Sequence, residues 1–139
     1  MNKITKLEDF ALFVPKLKEL HQRLDGRWEI ELNPEQFGDK LLQNFRPVNA
    51  FYGEIINGEL AYFIAVLNGE FPKVVFWLLY INVKYRDKSR YYVKQILDTS
   101  KLEGYKEVIF CTSNISSSYR RWVSKFGAKP SSINYKIIL

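Results

Sequence analysis

Residues 73–92 read KVVFWLLYINVKYRDKSRYY. From Val74 to Val83 the run is almost continuously apolar and aromatic, the pattern of a strand buried on both faces at the centre of a sheet. A short polar turn comes next, and then Tyr92, Val93, Ile96 and Leu97 recur at helical spacing up to Gly104, a C′ residue. A strand, a turn and a helix N-terminus in succession form the junction at which many folds hold a phosphate. Such turns use glycine, because the backbone must approach the ligand closely. This one has no glycine. It offers Lys84, Arg86, Lys88 and Arg90, with tyrosines at 85, 91 and 92. Three readings stay open at this point: an altered cofactor loop, a binding surface for something else, or a solvated turn.

Working outward from that junction, the remaining elements emerge from period and punctuation. Thr5-Lys6-Leu7-Glu8 is a capping-box pattern, and Phe10, Phe13, Val14, Leu17 and Leu20 follow at helical spacing. Pro15 is expected to kink or restart this helix. Asn33-Pro34-Glu35-Gln36 reads as a second cap with proline at N1, and Phe37, Leu41 and Phe45 share one face. Residues 48–67 have strand character and are divided by Asn57-Gly58, a strong hairpin signal. Asn68-Gly69 marks the next turn. After Gly104, Glu107 to Thr112 is a strand, Ser116 caps a helix through Phe126, and Tyr135 to Leu139 is a final strand. The order α, α, β, β, β, α, β, α, β predicts an α/β mixed sheet in a single domain over 1–139, with helices on both faces. The two strands joined through a helix should be parallel.

Composition bounds the function. The chain has 139 residues, 47% of them hydrophobic and 16% aromatic, which excludes a disordered chain. The apolar run is too short to span a bilayer, which needs ~20 residues, so no membrane partner is expected. One cysteine precludes an internal disulfide, and no signal sequence opens the chain, which together favour a cytoplasmic setting. One His and one Cys leave no metal-ligand spacing. Residues 1–70 carry 8 Lys/Arg against 11 Asp/Glu, and residues 71–139 carry 13 against 4. The basic C-terminal half is therefore expected to meet an anionic partner: CoA, nucleic acid or an acidic protein surface.

The element order and spacing resemble the GNAT (GCN5-related N-acetyltransferase) superfamily over nearly the whole chain. ITKLEDFALFVPKLKEL looks like the family's first strand and helix, with Asp9 just inside the helix. CTSNISSSYRRWVSKFGAK is similar to its late strand and helix, with Asn114 after the strand and Lys125-Phe126-Gly127-Ala128 at the close. The resemblance implies acetyl-CoA as cofactor and transfer to an amine. It also implies an Arg/Gln-x-x-Gly-x-Gly/Ala turn, whose backbone N–H groups hold the CoA pyrophosphate. Here that turn aligns as Arg86-Asp87-Lys88-Ser89-Arg90-Tyr91; a shift by two gives Lys88-x-x-Tyr91-x-Val93. The CoA region implied is Val83, Arg86, Lys88, Ser89, Arg90, Tyr91 and Asn114. The family's general acid is a Tyr four residues before the closing glycine, which falls on Val123; Tyr119, one turn earlier, is the candidate in its place. Residues 74–83 hold no carboxylate, and Glu54 and Glu59 flank a hairpin tip, so no general base is identified.

A scaffold with both signature sites altered resembles a narrower group, the small GNAT-like proteins of tailed phages, including internal virion proteins. It implies a structural or interaction component with virion protein partners, placed in the virion or the host cytoplasm. An active N-acetyltransferase is the alternative. A third reading is non-specific binding of nucleic acid, from basic residues interleaved with aromatics at 84–92 and 119–126. The remaining conspicuous residues read more plainly. Cys111, Phe76, Trp77 and Trp122 are expected in the core, His21 at a helix C-terminus, Ser116–Ser118 as a cap, and Trp28 as an exposed anchor.

Overall fold

In the computed structural model, residues 1–23, 32–110, 129–131 and 134–139 are described. Helix α1 (Leu7–Arg23) buries Phe10, Phe13, Leu17 and Leu20, one stripe at helical period, and runs on through Pro15 rather than restarting there. Helix α2 (Pro34–Asn44) starts at the expected cap. The Asn33 side chain accepts from the Gln36 amide at 2.8 Å, and the Gln36 side chain accepts from the Asn33 amide at 3.0 Å. Replacing Asn33 by Ala is expected to cost about 1 kcal/mol. Urea denaturation would show this as a lower midpoint at unchanged slope.

Strands β1 (Ala50–Ile56) and β2 (Glu59–Asn68) form the expected hairpin. Its turn is Asn57-Gly58, and both residues have positive φ (52° and 75°), the left-handed pair that a two-residue turn of this hand requires. Strand β3 (Lys73–Ile81) lies antiparallel to β2, and β4 (Glu107–Phe110) lies parallel to β3. Strands β5 (Lys129–Ser131) and β6 (Asn134–Ile138) complete a six-stranded sheet in the order β1-β2-β3-β4-β6-β5. The strand expected at the C-terminus is β6. The sequence pattern has no counterpart for β5, a three-residue edge strand containing Pro130, and proline is tolerated on such edges. The helix expected from Ser116 to Phe126 lies outside the described residues. At the N-terminus, Lys3 bridges Tyr52, the Ile4 amide donates to Phe51 O at 2.8 Å, and the Gly53 amide donates to Asn2 O at 3.0 Å. Where the opening stretch implied a first strand, the structure has this isolated bridge.

Two cores sandwich the sheet. One side packs Phe10, Phe13, Leu17, Phe37 and Leu41 of α1 and α2 against Phe51, Phe63 and Leu78. The other packs Tyr92 and Ile96 of helix α3 (Ser89–Leu102) against Tyr62, Ile64, Phe76 and Phe110. Helices therefore cover both faces, as the near-continuous apolar β3 required.

Candidate functional site

The candidate site is built around the second half of β3 and its exit into α3. In the β2–β3 ladder Ala65 faces Leu78 and Val66 faces Phe76, so Trp77 is an extra residue, a β-bulge. In the β3–β4 ladder Phe76 lies opposite Phe110, their rings stacked 4.9 Å apart. The bulge interrupts the β2–β3 ladder at this one point of β3. Trp77 itself is core, as expected: it is buried, its ring lies 6.2 Å from that of Phe37, and Lys40 Nζ lies 5.4 Å from its centroid.

Asn82, which sequence reasoning did not single out, organises the exit from β3. Its side chain is buried; Nδ2 donates to Glu59 Oε1 at 3.0 Å, and Oδ1 accepts from the Lys84 amide at 3.1 Å. Its backbone N–H donates to Ala61 O at 2.9 Å, and its carbonyl accepts from the Tyr85 amide at 2.8 Å. Lys84 closes the cluster with a 2.9 Å ion pair to Glu59. That bond, followed by the one from Asn82, holds the Glu59 carboxyl below its ordinary range, and Glu59 raises the Lys84 ammonium in turn. The sequence signal was available: a lone amide directly after an apolar strand is a natural strand terminator.

The link itself differs from the open turn expected. Val83–Lys88 forms 3₁₀ turns joined at Tyr85 (φ −119°, ψ 15°), and α3 continues from Ser89. Such turns bond i to i+3 and direct amides along the chain. Val83, Arg86, Lys88 and Arg90 are exposed, and Arg86 is already engaged within the protein. Lys88 is the N-cap of α3 and offers no side-chain cap. Tyr91 is 62% exposed, whereas Val93 is fully buried. Val93 is thus turned to the core, whereas Arg86, Asp87, Lys88, Arg90 and Tyr91 are exposed. Asn114 and Tyr119, with Cys111, Trp122, Val123 and Trp28, lie outside the described residues.

Two further groups emerge only in three dimensions. Tyr62 is buried, its hydroxyl accepting from the Asn2 amide at 2.8 Å and donating to Glu54 Oε1 at 3.0 Å. Burial first, and then Glu54, pushes this phenol far above its ordinary range. Tyr92 lies 4.6 Å from the Tyr62 ring and 6.0 Å from that of Tyr91, so three tyrosines step from core to surface. His21 lies in the last turn of α1, as expected, with its side chain turned inward. It is buried, its Nε2 lies 2.9 Å from Leu32 O, and its ring stacks on Phe37 at 4.4 Å. It joins α1 to α2.

No family model and no curated protein matches the sequence. Solved structures do match its fold. A GNAT-family acetyltransferase from Staphylococcus aureus Mu50 superposes with a TM-score of 0.70 at 14% identity, covering 99% of this chain and 98% of the other. Aminoglycoside 6'-acetyltransferase type Ii gives 0.70 at 12% identity over 99% and 97%. PaiA N-acetyltransferase from Thermoplasma acidophilum, in complex with coenzyme A, gives 0.64 at 13% over 99% and 98%.

The chain has the GNAT fold.

A GNAT fold implies CoA, and the β3–α3 link can be tested for it. The cations at 86, 88 and 90 suit phosphate in charge. Two amides early in the link, those of Lys84 and Tyr85, already bond Asn82, and 3₁₀ turns follow. Among the described residues no group of three His, Cys, Asp or Glu is placed to hold a metal ion, and no helix is long and apolar enough to cross a membrane.

Proposed function

We propose that this chain is a GNAT-fold interaction component that meets an anionic partner through its β3–α3 link and carries out little or no acyl transfer. The observation supporting it is the link itself, whose first amides are taken up by Asn82 while its cations Lys88 and Arg90 face solvent. Charge without a backbone cradle gives attraction with little geometric precision. The tyrosine and carboxylate that do meet, Tyr62 and Glu54, hold each other, and Tyr62 is closed to solvent. Beside the phage proteins the sequence resembles, such a component would act by binding in the virion or host cytoplasm rather than by turnover.

Calorimetric titration with acetyl-CoA and with desulfo-CoA tests this. The expected result is no micromolar binding, which would correspond to about −8 kcal/mol. Micromolar binding that Lys88→Ala and Arg90→Ala abolish would sink the proposal. A second reading, an active N-acetyltransferase on an amine, is favoured by the Trp77 bulge in β3. Bulges of this kind cluster beside active sites. Release of CoA thiol dependent on an added amine decides for it.

A further inference from the structure

Resting on the reading of the link as a binding face, we infer that its anionic partner is single-stranded nucleic acid, with Tyr91 as the base-stacking platform. From Val83 to Leu97 the sequence carries five cations and a single carboxylate, Asp87. Lys84 is taken up by Glu59 and Arg86 is engaged within the protein, which leaves Lys88, Arg90 and Lys94 as exposed cations. Arg90 and Lys94 are four residues apart on α3 and so lie on one face of it.

The aromatic component is independent of the charge. Tyr91 is the outermost of three tyrosines, and the ladder beneath it is anchored. Tyr62 is pinned by Asn2 and Glu54, Tyr92 lies against Tyr62, and Tyr91 lies against Tyr92 at 58° between ring planes. Nothing in the core requires an aromatic at position 91, because the side chain is 62% exposed. A supported, solvent-facing ring beside cations suits a base face followed by phosphates, and such stacking tolerates any base. A duplex has its bases already stacked on one another and offers the ring no free base face.

The test is fluorescence anisotropy of the full chain with labelled oligothymidylate. Three phosphate contacts predict a slope of log K against log salt of about −2 for a single strand. Tyr91→Ala is expected to weaken binding about tenfold or more, while Tyr91→Phe keeps it, because stacking needs the ring and not the hydroxyl. Lys94→Ala should reduce the slope by about 0.7. The exposure of both side chains makes these variants compatible with folding, which a thermal melt verifies. Absence of oligonucleotide binding at about 50 mM salt overturns the inference, as does equal affinity for a duplex or indifference to Tyr91→Ala. Those outcomes leave the interaction reading standing when acetyl-CoA also fails to bind. Micromolar acetyl-CoA binding removes that reading whatever the oligonucleotide does.

Discussion

Phe10→Ala is expected to destabilise the protein by about 3–5 kcal/mol. Phe10 is fully buried on α1, and its ring reaches every layer of that face. It stacks on Phe45 at 4.3 Å, meets Phe51 of β1 edge-on at 5.1 Å, and lies 6.3 Å from Phe63 of β2. Removing it therefore opens a cavity among three other aromatic rings, which cannot collapse into the space without leaving their own partners. Domains of this size have only about 5–15 kcal/mol in total, so much of the stability goes with one side chain. Leu12→Ala is the control: the same helix, but a side chain facing solvent, with an expected change within about 0.5 kcal/mol. Urea denaturation of both variants measures the difference. A Phe10→Ala loss below about 1 kcal/mol would mean that this cluster does not behave as a close-packed core.

The features legible in the sequence are those decided locally. The Asn33 cap, the Asn57-Gly58 turn and the apolar centre of β3 each depend on neighbours within a few residues, and each stands where the pattern placed it. The bulge at Trp77 was hidden because an unbroken apolar run has no alternation to reveal a slipped register. The 3₁₀ link was hidden for a related reason. A polar, glycine-free stretch reads as a turn whatever its bonding, and its bonding is set by Asn82 reaching back to Glu59, 23 residues earlier. The tyrosine ladder needs Tyr62 and Tyr92 to meet from different elements, which no local pattern encodes. The helix position of His21 suggests a dipole role, but its pairing with Leu32 comes from the return of α2 against α1. Local rules placed the elements; long-range hydrogen bonds built the candidate site.

Stability is expected to fall as pH rises above about 10, by about 1.4 kcal/mol per pH unit from Tyr62 alone. The sign is set by the direction of the shift. Burial holds the Tyr62 phenol protonated well past the range in which an unfolded tyrosine ionises, so above that range the native state binds the extra proton. Its contribution is fully present below about pH 10 and is lost as pH climbs toward the raised native value. Tyr52, raised by burial and then by Glu103, and Tyr92, raised by burial and then by Glu54, push in the same direction. Tyr62→Phe separates the contributions. At pH 8 it should cost about 1–2 kcal/mol, because the Asn2 amide and the Glu54 carboxylate lose the hydroxyl they share. Above pH 10 the same variant should lose stability less steeply than the parent, since its position 62 has nothing to ionise. The two stability curves therefore converge with rising pH, and urea denaturation at pH 8, 10 and 11 reads that convergence. Parallel curves would mean that Tyr62 ionises as readily folded as unfolded, and the partly buried Asn2–Tyr62–Glu54 bridge beneath the ladder would have to be abandoned.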